Sequence, residues 1–221
     1  MVYPLKITKT NLQNFCLYAS IAHAISLLKY PEFDYEQSWD GVNYSQVNGQ
    51  GARGTISFSE KIVVGAFRNE NLHQSYKPAD NYLVGADEKF KKLAEDETFL
   101  YLLDDVSLYV PKKIKTDIKP VITTAFWGDN DGIFSNDSIE DFKLRSDGLL
   151  DFVFLDIKSQ REYWKETYEF TQDEIDLVDS IFEIKQSNSG VKIELFNFQK
   201  YLTKVYEDEG ISACQESLSE I

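Results

Sequence analysis

Cysteine and histidine are nearly absent from this chain: its 221 residues include two of each, Cys16, Cys214, His23 and His73. One cysteine lies in an apolar run and the other near a polar C-terminus, so neither a disulfide framework nor a zinc site is expected. So few histidines argue against a metallohydrolase, and no glycine-rich loop of the kind that cradles phosphates is present. No apolar run reaches the roughly 20 residues that span a bilayer; the longest, 15–28, falls short. That run ends in Ala22-His-Ala24, which has the look of a secretory cleavage site, but Tyr18, Ser20 and His23 interrupt it and it reads better as a helix.

Positive charge is also scarce. With 23 Lys and Arg against 37 Asp and Glu, the formal net charge is −14. Such a field repels phosphate backbones and argues against direct nucleic-acid binding, whereas a basic protein would be attracted. The charge is uneven. Residues 1–30 contain Lys6, Lys9, Lys29 and no acid, while 129–184 hold sixteen acids and five bases. The residues present in abundance are core formers: the 43% hydrophobic and 14% aromatic contents imply a packed globule.

The densest structural signal lies in 39–70, which has five of the eleven glycines. Ile56 and Phe58 alternate with Thr55, Ser57 and Ser59, the period of a half-buried strand. The run 62–67 is apolar on both faces and predicts a central strand, joined to the first by a turn at 59–61. Asn48-Gly49 marks a tight turn upstream. Residues 3–8 are expected as an edge strand or extended lead-in. Leu12, Phe15, Ala19, Ala22, Ile25 and Leu28 recur at helical spacing, with Thr10 and Gln13 as a capping box.

Further along, 71–82 reads as a loop, 80–103 as a helix, 107–110 as a strand, 112–119 as a basic connector and 121–127 as a strand closed by a turn at 128–132. Asp137 is expected to cap a helix to Arg145, while 149–157 fits either strand or helix. A helix over 160–170 and another opened by a Thr171–Glu174 capping box follow. After a turn at 187–190, a strand over 191–196, a helix capped by Asn197 and a mobile tail from Gly210 are expected. The fold class is therefore α+β, a mostly antiparallel sheet packed by several helices in a single domain over 1–221. Residues 1–128 form its sheet-rich half, 129–209 its acidic, more helical half, and 210–221 its tail.

Several constellations suggest chemistry and fall short of it. Cys16 and His23 are seven residues apart, ~10 Å along a helix and too far for a thiolate–imidazole bond; His73 would reach Cys16 only through the fold. Asp129-Asn-Asp-Gly132 resembles part of a calcium loop, but its register puts Trp127 and Ser138 where acidic ligands belong, so a turn is expected. The carboxylates at Asp104, Asp105, Asp173, Glu174, Asp176 and Asp179 read as solvated faces. The remaining candidate site comprises Asp40, Tyr44, Arg53, Arg68 and Glu70, where the arginines could grip a carboxylate or phosphate. Against this stands the favoured expectation that they pair with Asp40 and Glu70 to lock the turns.

These features favour a non-catalytic cytoplasmic protein that binds a basic macromolecular partner, possible analogues being inhibitors of the bacterial immunity type. The alternative is an enzyme or small-ligand binder with its site at 39–70. No cofactor, metal, nucleic-acid or membrane partner is expected, and the oligomeric state is left open.

Overall fold

The computed structural model describes residues 1–75, 77–103, 120–188, 190–202 and 206–221, without the side chains of 73–75. The strand and the basic connector expected at 107–119 lie outside the described residues. Among those described, the fold is α+β. A mostly antiparallel sheet of seven strands has the order β1-β9-β8-β5-β4-β3-β2, and helices pack on it. The strands are β1 (Tyr3–Pro4), β2 (Gln37–Asp40), β3 (Asn43–Val47), β4 (Ala52–Phe58), β5 (Val63–Asn69), β8 (Thr124–Gly128) and β9 (Ile133–Ser135). Two short strands, β6 (Lys77–Pro78) and β7 (Val121–Ile122), pair separately. The chain divides into two compact units, 1–12 with 40–151, and 13–39 with 152–221.

In the first unit the expected hairpin is present. β4 and β5 pair antiparallel, and every residue of β5 is buried between β4 and β8. On one face of β5, Val64 and Ala66 join Ala125 and Trp127 of β8 under Tyr82, Leu83, Phe90 and Phe99. On the other face Phe67 and Phe126 lie close to Phe142 of α3 (Ile139–Arg145), with centroids 5.6 and 5.9 Å away. Two glycines make room for these rings. A Cβ on Gly54 would sit 2.0 Å from the Phe67 ring, and one on Gly65 would sit 2.4 Å from that of Phe126. The turn after β3 is closed by Asn48, whose Oδ1 accepts from the amides of Gln50 and Ala52 at 2.9 and 3.0 Å.

Several local expectations for this unit need correction. The helix expected over 80–103 is confined to α2 (Glu88–Asp96), because Gly85 at φ +90° breaks the chain before it and a 3₁₀ segment follows at Thr98–Leu102. The strand expected over 121–127 is two strands. At Thr123 the hydroxyl donates to the Arg145 carbonyl at 2.7 Å and accepts from the Asn69 amide at 3.1 Å, which parts β7 from β8. Asp137 does not cap α3; Ser138 does, accepting from the Asp141 amide at 3.1 Å. Asp137 turns inward instead, accepting from Thr124 Oγ1 at 2.7 Å and from Arg145. The ambiguous run 149–157 contains a 3₁₀ turn, Asp151–Phe154. Nor does Thr10 form a capping box at the start of α1 (Lys9–Ser26): its amide and hydroxyl both donate to Asn130 Oδ1, at 2.9 and 2.8 Å.

The second unit is helical. It contains most of α1, with α4 (Ile157–Thr167), α5 (Gln172–Ser187) and α6 (Asp208–Glu220). From Tyr18 to Leu28 every residue is buried, so this stretch is covered on all sides rather than along one stripe. The Tyr18 ring packs 4.5 Å from Trp164 and from Phe182. The Thr171–Glu174 capping box opens α5 as expected. Burial alone would raise the Glu174 carboxyl, but hydrogen bonds from Lys29, Thr171 and Tyr206 outweigh it and hold the group below its usual range.

Local expectations for this unit also need correction. Residues 191–194 form no strand; the Gln215 side chain takes the hydrogen bonds a neighbouring strand would make, accepting from the Leu195 amide at 2.8 Å and donating to the Ile193 carbonyl at 2.9 Å. A 3₁₀ segment, Leu195–Tyr201, replaces the helix expected after Asn197. The tail from Gly210 is α6, seated by Gly210, Cys214 and Leu218, all buried. Gly210 approaches the end of α1 so closely that a Cβ there would lie 2.6 Å from the Leu28 carbonyl oxygen.

Candidate functional site

The strand register decides which of the five candidate residues can act together. Arg53 and Arg68 are direct partners across β4 and β5, so both side chains stand on one face. Glu70 Oε1 lies between them, 3.6 Å from Arg53 Nη2 and 3.8 Å from Arg68 Nη2. The Glu70 backbone is held by its amide, which donates to the Gly51 carbonyl at 2.8 Å. The pairing of the arginines with Glu70 therefore stands. Such loose, partly exposed pairs contribute about 0–1 kcal/mol each, enough to bias a turn and little more.

Tyr44 does not belong with them. It pairs with Ile56, whose side chain points away from the Arg53 face, and is 1% exposed. It is a core residue of the opposite face. Asp40 is also elsewhere: it accepts from the Tyr101 hydroxyl at 2.5 Å, and Tyr101 in turn accepts from Asn43 Nδ2 at 3.3 Å. Asn43 pairs with Ser57, four residues along β4 from Arg53, a separation of ~13 Å. The hairpin thus carries two polar sites, Arg53–Arg68–Glu70 at one end and Asp40–Tyr101–Asn43–Glu97 at the other, with Asn43 also donating to Glu97 at 2.9 Å.

The thiol and imidazole are both interior. Burial pushes the Cys16 thiol well above its ordinary value, opposite to what a nucleophile needs. Burial lowers His23 to about 4, and its Nε2 lies 3.1 Å from the Phe33 carbonyl oxygen. The segment after β8 is a turn: the Asp131 amide donates to Asp129 Oδ1 at 3.0 Å, and the Asp129 amide to the Gly132 carbonyl at 3.1 Å. Among the described residues no group of three or more His, Cys, Asp or Glu is placed to hold a metal ion. No helix among them is long and apolar enough to cross a membrane.

Charge follows the units. The acid-rich stretch 129–184 is shared between them, yet the second unit holds eighteen acids and eight bases, −10 of the chain's −14. Within it, the carboxylates in ion pairs among the described residues are Glu174 on Lys29, Asp179 on Arg161, Glu162 on Lys165 and Glu194 on Lys192. By contrast Glu207, Asp208, Glu209, Glu216 and Glu220 are all exposed, and α6 carries no base. The segment expected as a mobile tail is thus part of a helix that carries most of these acids. The four-residue spacing of Gly210, Cys214 and Leu218 was the available sign of a helix. Comparison of the chain with protein-family models, with curated proteins and with solved structures finds no match.

Proposed function

We propose that this chain is a non-catalytic binding protein of the cytoplasm whose acidic unit docks a basic protein partner, as an inhibitor of the bacterial immunity type would. The observation that carries the reading is the concentration of charge: −10 in the second unit, with the five carboxylates of 207–220 exposed and outside any ion pair among the described residues. A one-signed surface of this kind accelerates encounter with an oppositely charged partner and disfavours nucleic acid and anionic lipid. Two buried cysteines with no disulfide suit a reducing compartment. Capture on the immobilised protein from its own cell extract, at low and then high salt, tests the reading. A basic protein held at low salt and released at high salt is expected; recovery of no basic protein at either salt would overturn it.

A second reading, a small-anion site or active site at the hairpin, draws on one feature. Arg53 and Arg68 are cross-strand partners, so two guanidinium groups, the fork that grips carboxylate and phosphate, stand side by side on one face. Inorganic phosphate or a dicarboxylate would then raise the thermal midpoint of the protein, and Arg53→Ala or Arg68→Ala would abolish the rise. An unchanged midpoint removes this reading.

A further inference from the structure

Two clefts in the acidic unit meet along α6. The first, about 620 Å³, is walled by Leu195, Phe196, Leu202, Tyr206 and Ile211. The second, about 470 Å³, is flanked by Glu194, Asp208 and Glu216, with Lys192 paired to Glu194 at 3.2 Å, and shares Ile211 and Gln215 with the first. The first is apolar at its lip, where Phe196 is 75% exposed and Ile211 41%. Its floor is fixed, because Gln215 ties 193–195 to α6 by two hydrogen bonds of 2.8 and 2.9 Å. A preformed floor avoids the ordering cost that a flexible surface meets on binding.

Toward the C-terminal end of α6 the charges run against the helix's own interest. Glu216 and Glu220 sit four apart on α6, a like-charge spacing that costs a helix about 0.2–0.5 kcal/mol, and no base on α6 relieves it. Solubility alone would be served equally well by mixed charge. An apolar trough bordered by an excess of carboxylates, Glu194, Asp208 and Glu216 against Lys192 alone, complements one kind of surface, a helix with apolar side chains on one stripe and Lys or Arg beside it.

We infer that the double cleft along α6 is the docking surface for an amphipathic basic helix of a protein partner. This rests on the basic-partner reading above and names its surface. Apolar anchors of the incoming helix enter between Phe196 and Ile211, and its basic side chains lie over Asp208 and Glu216. The acids supply attraction at a distance; the trough supplies the discrimination between a patterned helix and mere positive charge.

The test uses the full chain and two synthetic peptides of Leu and Lys with identical composition, one patterned at helical period and one scrambled. Affinity is measured by titration for the natural protein and for Phe196→Ser and Ile211→Ser, whose far-UV spectra and thermal midpoints confirm folding. The patterned peptide is expected to bind about tenfold tighter or better than the scrambled one. The serine variants should erase that preference and leave the weak binding of the scrambled peptide unchanged. Equal binding of both peptides, with loss at high salt, would overturn the docking surface while leaving the basic-partner reading in place. Binding of neither would overturn both. Sedimentation of the free protein as a dimer that the serine variants dissociate would assign the trough to a second copy of the chain and overturn the inference as well.

Discussion

His23 shows how a single side chain can tie this fold to pH. Its ring is buried, Nε2 lies 3.1 Å from the Phe33 carbonyl oxygen, and Nδ1 has no hydrogen-bond partner. Burial disfavours the charged ring by more than the Phe33 carbonyl and nearby Asp34 favour it, so the folded-state pKa falls to about 4 from an ordinary 6.5. The unfolded chain takes up the proton first as pH drops. Stability from this group is therefore complete above about pH 6.5 and lost as pH falls toward 4, amounting to about 3 kcal/mol. Urea unfolding of His23→Gln should show a correspondingly shallower fall between pH 7 and 4; a slope equal to that of the natural protein would refute the assignment. Gly54 makes a steric case. Gly54→Ala should cost about 2 kcal/mol by driving a methyl into Phe67, and that cost should vanish in a Phe67→Ala background. At this scale the sequence was partly legible. The grouping of Arg53, Arg68 and Glu70 followed from the hairpin, whereas Tyr44 was misplaced because face depends on register, and a slip of one residue exchanges core for surface.

Among the elements, those with a local chemical signature were readable and those defined by a distant partner were not. The β4–β5 hairpin announces itself by alternation and turn chemistry, and α5 by Thr171 and Glu174. That box is tied to the tertiary structure by Lys29, whose Nζ lies 2.9 Å from Glu174. Thr171→Ala should therefore cost about 1 kcal/mol, the usual value of a cap, and Thr171→Ser almost nothing. Glu174→Gln should cost more, about 3 kcal/mol, because it removes the counter-charge of the largely buried Lys29 ammonium and leaves it only carbonyl partners such as that of Glu169. Denaturant midpoints of the three variants check the ranking, and a Glu174→Gln cost no larger than that of Thr171→Ala would contradict it. The elements that misled depend on long-range contacts. The run 191–196 has strand-forming residues but meets the Gln215 amide instead of a strand. In α6, glycine looked like the start of a loose tail, when its missing side chain is what lets the helix lie against the Leu28 carbonyl.

For the molecule as a whole, the order of strand and helix periods correctly implied an α+β sheet packed by helices, and the sign of the charge was plain from the sequence. Its location was not, because the chain leaves the second unit at residue 39 and returns at 152. A linear count over 129–184 therefore mixes carboxylates of two bodies. The excess of negative charge belongs to the helical unit, −10 of −14, and α6 carries part of it with no base. The hairpin arginines share a carboxylate of their own. The central claim is that the helical unit, rather than the sheet, meets a basic partner. The most direct measurement is the affinity of the basic protein captured from extract for two charge-reversed forms of the chain, across a range of salt. One carries Glu216→Lys and Glu220→Lys on α6; the other carries Glu60→Lys and Asp96→Lys, an equal change of charge on exposed positions of the first unit. The account predicts that the α6 pair weakens binding about tenfold or more and flattens its salt dependence, while the first-unit pair has a small effect. Equal losses from both pairs, or a larger loss from the first-unit pair, would contradict it.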